Sequence, residues 1–435
     1  MRLSPALAAA ATLAAALSPA SAQRIEYEEA PHHYFSAPLH DRCTALDAAL
    51  QSGRFPIDPS NPKALLRRIL AELAVPEASQ VLVFSKTSVQ RDRITPSNPR
   101  AVYFSDDTYV GWVPGGLIEF AGLDPHLGPI FYSLNTDRPD RATPRLDRSE
   151  ICMNCHGGSM TNNVPGVMIR SVFPDKDGTP LLQAGTSLID HSSPIESRWG
   201  GWYVTGNHGN ARHMGNATAT QLNGNVSLDR EPGANLSSLD HFFKTSSHLR
   251  PDSDIVALMT LEHQVAMQSR LTEAAYDLRS AITRQKALRR ELAEPETDDF
   301  VGSTKIVAES HTEKIMRCLL FCEEAPLPDG GIDGHHDFQS SFRANRKPSP
   351  DGKSLKDFNL LTRLFKYRCS YLIYSQQWDA LPNRFRTMLY ARLFQILSSP
   401  TPIPGYSHLS TSERADILAI LRATKSDLPP SWKNG

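Results

Sequence analysis

Cys152-Met153-Asn154-Cys155-His156 constrains this chain more than any other feature: two thiols three positions apart, followed at once by a histidine. C-x-x-C-H is the attachment pattern for c-type haem. The spacing has a chemical reason. Two thiols so placed add across the two vinyl groups of one porphyrin, and the next residue, His156, is then held against the iron as its proximal ligand. The motif occurs once, so one covalent haem c is expected. A zinc knuckle would need a second ligand pair. Cys318-x-x-x-Cys322 offers one but leaves His156 unexplained. A thioredoxin-type redox pair would open a helix after a strand, whereas Asp147-Arg148-Ser149-Glu150 is polar and loop-like.

The N-terminus supplies a matching compartment. Met1-Arg2 is a short positive start, residues 5–17 are small and apolar, and Ala20-Ser21-Ala22 forms an A-x-A site. This pattern reads as a secretory signal peptide over residues 1–22, cleaved after Ala22, with the mature chain periplasmic or secreted. Export strengthens the haem reading, because thiols outside the cytoplasm are oxidised or modified. No later run approaches the roughly 18 apolar residues of a membrane helix, so no membrane span is expected after cleavage. Lys plus Arg number 46 against 47 for Asp plus Glu, a net charge of −1. That balance excludes nucleic acid as a general partner.

Along the mature chain the pattern predicts an α+β protein with three regions: a mixed α/β region over 23–150, a loop-rich haem c region over 151–250, and a mainly helical region over 251–435. Residues 23–60 are polar and proline-rich. Leu65, Leu66, Ile69, Leu70 and Leu73 give residues 62–74 a helical stripe behind Pro62. Strands are expected at 79–85, 101–104 and 108–113. The stretch after the haem motif is rich in Gly, Asn, Ser and His. A long helix is expected over 254–293, capped by Asp252 or Ser253, then helices at 358–375, 379–398 and 410–425. The last opens on the capping box Ser410-x-x-Glu413. The intervening 326–357 reads as a long loop.

A low-spin electron carrier needs a second strong iron ligand, usually Met or His. Met214 and His213 share a Gly/Asn-rich loop downstream of His156, and His263 stands between Met259 and Met267 at i,i+4 steps on a helix. These are the alternative distal ligands, with His208 and Met160 behind them. Arg91, Arg93 and Arg212 are candidates to meet haem propionates. Glu262 beside His263 reads as a surface carboxylate next to a buried histidine. Cys43, Cys318, Cys322 and Cys369 permit two disulfides or four buried thiols.

The stretches VQRDRITPSNPRAVYFSDDTYVGWVPGG, CMNCHGG, RWGGWYVTGNHGNARHMGN, LMTLEHQVAMQ and YRCSYLIYSQQWDALP resemble a family of bacterial exported cytochrome-c-domain proteins with a single C-x-x-C-H. The resemblance implies haem c and a periplasmic location, and carries over only Cys152, Cys155 and His156. It implies no substrate. The expected activity is electron transfer to a redox partner protein rather than catalysis. The alternatives are a haem-dependent oxidoreductase of peroxidase or oxidase type, or a haem sensor with an open iron site.

Overall fold

The computed structural model describes residues 26–136 and 143–432, so the expected signal peptide lies outside the described residues. The fold is α+β with a helical C-terminal half, as expected. Helices α1 (Arg42–Gln51) and α2 (Pro62–Glu72) precede β1 (Val81–Val83), β2 (Arg100–Phe104), β3 (Thr108–Trp112), β4 (Ile118–Asp124) and β5 (Gly128–Leu134). In α2 the Asn61 side chain accepts from the Ala64 amide, Pro62 opens the first turn, and Leu65, Leu66, Ile69 and Leu70 are buried. The earlier α1 was not expected in the proline-rich start. Asp41 caps it by accepting from the Cys43 amide, and Cys43, Leu46, Ala49 and Leu50 face the core.

The strands form one antiparallel sheet in the order β5-β4-β3-β2-β1-β8, where β8 (Trp202–Tyr203) comes from the loop-rich region. That edge strand joins residues 151–250 to the N-terminal region in one sheet. Two close approaches seat the sheet against helices. At Gly122 a Cβ would stand 2.2 Å from the Asp41 carboxylate, which binds the Tyr132 hydroxyl at 2.7 Å. At Gly128, with φ +76°, it would stand 2.7 Å from Thr272 Cγ2. Only glycine permits both contacts.

After β5 come the short helix α3 (Met153–His156), the hairpin β6 (Arg170–Val172) with β7 (Thr186–Leu188), then β8 and the hairpin β9 (Ala219–Leu222) with β10 (Asn225–Leu228). Helix α4 runs from Ile255 to Glu291 and is capped by Asp254, which accepts from the Ala257 amide. The cap is thus one residue beyond the expected Ser253. The first half of α4 is buried all round, and Gln264 and Gln268 bind the Tyr109 hydroxyl on β3. The charged end projects toward solvent, as its composition predicts.

The remaining helices are α5 (Gly302–Leu319), α6 (His336–Arg343), α7 (Gln376–Asp379), α8 (Asn383–Ser398) and α9 (Thr411–Thr424). Helix α6 interrupts the expected loop at 326–357, with Phe338 and Phe342 buried one turn apart. The helix expected at 358–375 is absent. The Asn359 side chain accepts from the amides of Leu361 (3.1 Å) and Thr362 (2.8 Å), a local turn that competes with helix. It folds Phe358 back onto Phe365, with ring centroids 5.3 Å apart. No helix among the described residues is long and apolar enough to cross a membrane.

Candidate functional site

Cys152 ends a single 3-10 turn that Ser149 caps, and Cys155 and His156 lie in α3 directly behind it. One tight turn after another places both thiols and the imidazole along one short rod. Cys155 is exposed, and Cys152 is half-buried and packs against the hydrophobic core. Burial, then the charge of Glu119, pushes the Cys152 thiol up and keeps it protonated.

His156 is held from two sides. Its ring stacks on Phe131 of β5 at 4.3 Å and 28°. Its Nδ1 meets the Gly166 carbonyl at 2.9 Å. A carbonyl only accepts, so Nδ1 carries the hydrogen and Nε2 carries the lone pair. Nε2 has no protein partner among the described residues. Burial lowers the proton affinity of this histidine, which keeps it in the neutral, ligating form. A metal-binding histidine is commonly fixed in this way, with its second nitrogen donating to a backbone carbonyl.

Three charged residues that sequence reasoning did not single out surround this helix. Arg100 and Glu119 form an ion pair at 2.7 Å across β2 and β4. Together with Arg170 they act electrostatically on His156. Among the described residues the Arg170 guanidinium meets no carboxylate, and it contacts Met160 Sδ at 3.8 Å. Leu188 pairs with Arg170 across β6 and β7, so their side chains share a face. Leu188 is 49% exposed, and Ile151 beside Cys152 is 59% exposed. Bare apolar side chains, a free cation and a presented imidazole are what the apolar face, propionates and iron of a haem require. The residues present fit the group.

The other sequence candidates lie elsewhere. Met214 is buried, and its sulfur accepts from Ser171 Oγ at 3.6 Å. Ser171 follows Arg170 in β6 and points to the opposite face. His213 is buried between Trp199 and His208, with no hydrogen bond to either ring nitrogen. His263 lies between His191 and Ser370. No hydrogen bond or ring contact joins any of these three to His156 among the described residues. His208 bonds the Ala211 carbonyl and the Asn235 amide. Arg212 pairs with Glu231. Glu262 is no surface carboxylate: it is fully buried and pairs with Arg198 at 2.6 Å. All six cysteines are free thiols, and Cys43, Cys318, Cys322 and Cys369 are buried.

A separate cavity of about 750 Å³ is lined by Phe104, Asp106, Phe342, Lys356 and Tyr371 among others, and by none of the motif residues. Comparisons of the chain with family models, curated proteins and solved structures return no match.

Proposed function

We propose that this protein is an exported mono-haem c-type cytochrome that carries electrons to or from a protein partner. The reading rests above all on the segment 152–156: two thiols at the attachment spacing, Cys155 exposed and Cys152 half-buried, beside an imidazole whose Nδ1 is committed to Gly166. Cys152 and Cys155 would hold the macrocycle by thioether bonds, and His156 would supply the proximal bond. A haem bound there supplies a reversible one-electron couple. Arg170, which meets no carboxylate among the described residues, would pair with a propionate, the role expected from the sequence for Arg91, Arg93 and Arg212. Phe131 fixes the plane of the proximal ring. Cys155 is exposed, so a haem held there would stand where a docking partner could approach it. Periplasmic location and membership of the exported cytochrome-c-domain family belong to the same proposal.

One observation favours a second reading. Met214, His213 and His263, the expected distal ligands, are each packed against other groups and apart from His156. An iron held by His156 alone would bind small ligands, as in a haem-dependent oxidoreductase or a sensor. Optical spectra of the matured protein separate the two. Electron transfer predicts a six-coordinate low-spin spectrum that carbon monoxide and cyanide leave unchanged. It also predicts that one of Met214→Ala, His213→Ala and His263→Ala, or the change that removes whichever other residue supplies the second ligand, opens the site. A high-spin spectrum that shifts on adding cyanide or carbon monoxide refutes the electron-transfer reading.

A further inference from the structure

A second cluster of ligating side chains stands apart from the haem motif. His191 in the turn after β7, His263 in α4 and Cys318 near the end of α5 bring one imidazole nitrogen each and the Cys318 Sγ within 4.8 Å of one another, all three residues buried. We propose that these three residues bind one zinc ion, which ties the loop-rich region to the two long helices.

Distance is the first argument. The two Nδ1 atoms are 3.3 Å apart. At that separation one ring can donate to the other, or both nitrogens can face one shared ion. Two nitrogens at about 2.0–2.1 Å from one tetrahedral ion lie about 3.3–3.4 Å apart.

Orientation is the second. His263 Nε2 bonds Ser370 Oγ at 2.8 Å, and Phe321 stacks on the ring at 3.9 Å and 20°, so its Nδ1 is aimed at His191. The His191 carbonyl accepts from the Ala325 amide and from Arg198 Nη2, which fixes the backbone that carries the second ring. The His263 ring thus has an outer partner of the kind that holds metal-binding histidines in place, and the His191 backbone is fixed through its carbonyl.

The donor set is the third argument. Two neutral imidazoles and one thiolate carry −1, so a doubly charged ion leaves +1. Binding displaces the Cys318 thiol proton to solvent and forms the metal–sulfur bond, with no change of oxidation state. Imidazole and thiolate together suit zinc, and oxygen-seeking cations are disfavoured.

The test uses the full-length matured protein, expressed with added zinc, purified and dialysed. Zinc K-edge absorption is element-specific, so haem iron does not interfere. The expected result is about one zinc per chain, with one sulfur at about 2.3 Å and nitrogens at about 2.0–2.1 Å. Cys318→Ser should cut the zinc content at least about tenfold. The wild-type coordination shell needs no variant, so the test holds even if Cys318→Ser fails to fold. Absence of zinc after loading, a shell without sulfur, or full zinc retention in folded Cys318→Ser overturns the proposal. None of these outcomes depends on whether His156 binds haem.

Discussion

Removing the Glu262 carboxylate should cost the protein a large part of its stability. Glu262 is fully buried in α4 and accepts from Arg198 at 2.6 Å and from the Trp199 indole. Arg198 is itself 2% exposed and also donates to the carbonyls of Ser193 and His191. Glu262→Ala would leave a buried guanidinium without its counter-charge, a loss of about 3–5 kcal/mol. The orphaned Trp199 N–H lies within that range, since a buried unpaired donor alone costs about 1–3 kcal/mol. Glu262→Gln still strands the Arg198 charge but keeps acceptors for the guanidinium and the indole, so it should cost less than the alanine variant by about 1–3 kcal/mol. Urea unfolding followed by near-ultraviolet circular dichroism measures both, and a midpoint shift of roughly 1 M is expected for the alanine variant. Arg198→Met combined with Glu262→Ala should be less destabilised than the sum of the single changes, because no charge is stranded. A loss below about 1 kcal/mol for Glu262→Ala would refute the reasoning, since a pair so deeply buried cannot be that weak once broken. Burial pushes this carboxyl up to about 7 against the pull of Arg198, so the measurement belongs at pH 8, where it is ionised.

Other outcomes follow from local geometry. Gly128→Ala places a Cβ 2.7 Å from Thr272 at φ +76°, and should lower stability by about 2–4 kcal/mol in the same unfolding assay, part of it recovered by adding Thr272→Ser. His32 is buried on Tyr276, and burial, then Arg279, lowers it to about 4 from the ordinary 6.5. Below pH 6.5 the unfolded chain takes up this proton and the folded chain does not, so stability falls as pH drops toward 4, by up to about 1.4 kcal/mol per pH unit. His32→Gln should remove about one proton from that slope in pH-dependent urea titrations, and an unchanged slope would count against a neutral buried His32.

The elements readable from the sequence are those whose signal is local. Helix α9 begins where Ser410 and Glu413 say it should, and the Ser410 side chain accepts from the Glu413 amide. Helix α2 shows its apolar stripe and its Pro62 start. Strands β4 and β5 carry no such signal: nearly every residue in both is buried, so the alternation that marks a half-exposed strand is missing. Leu360, Leu361, Leu364 and Phe365 look helical in spacing, yet one carboxamide, Asn359, turns the chain. The site divides in the same way. Cys152, Cys155 and His156 are adjacent in the chain and legible from spacing. Arg100, Glu119, Phe131 and Arg170 reach His156 only because the sheet and the β6–β7 hairpin bring distant segments together. His191, which had no motif around it, meets His263 and Cys318 for the same reason.

The central claim is that Cys152 and Cys155 carry one haem, and the intact mass of the mature protein tests it most directly. The protein would be expressed with its N-terminal segment alongside a cytochrome c maturation system and isolated under denaturing conditions, which strip any non-covalent haem. The account predicts a chain beginning at Gln23, heavier by one haem, with a pyridine haemochrome of the two-thioether type, and a Cys152→Ala/Cys155→Ala chain at its bare polypeptide mass. A wild-type chain at its bare polypeptide mass under the same maturation would contradict it.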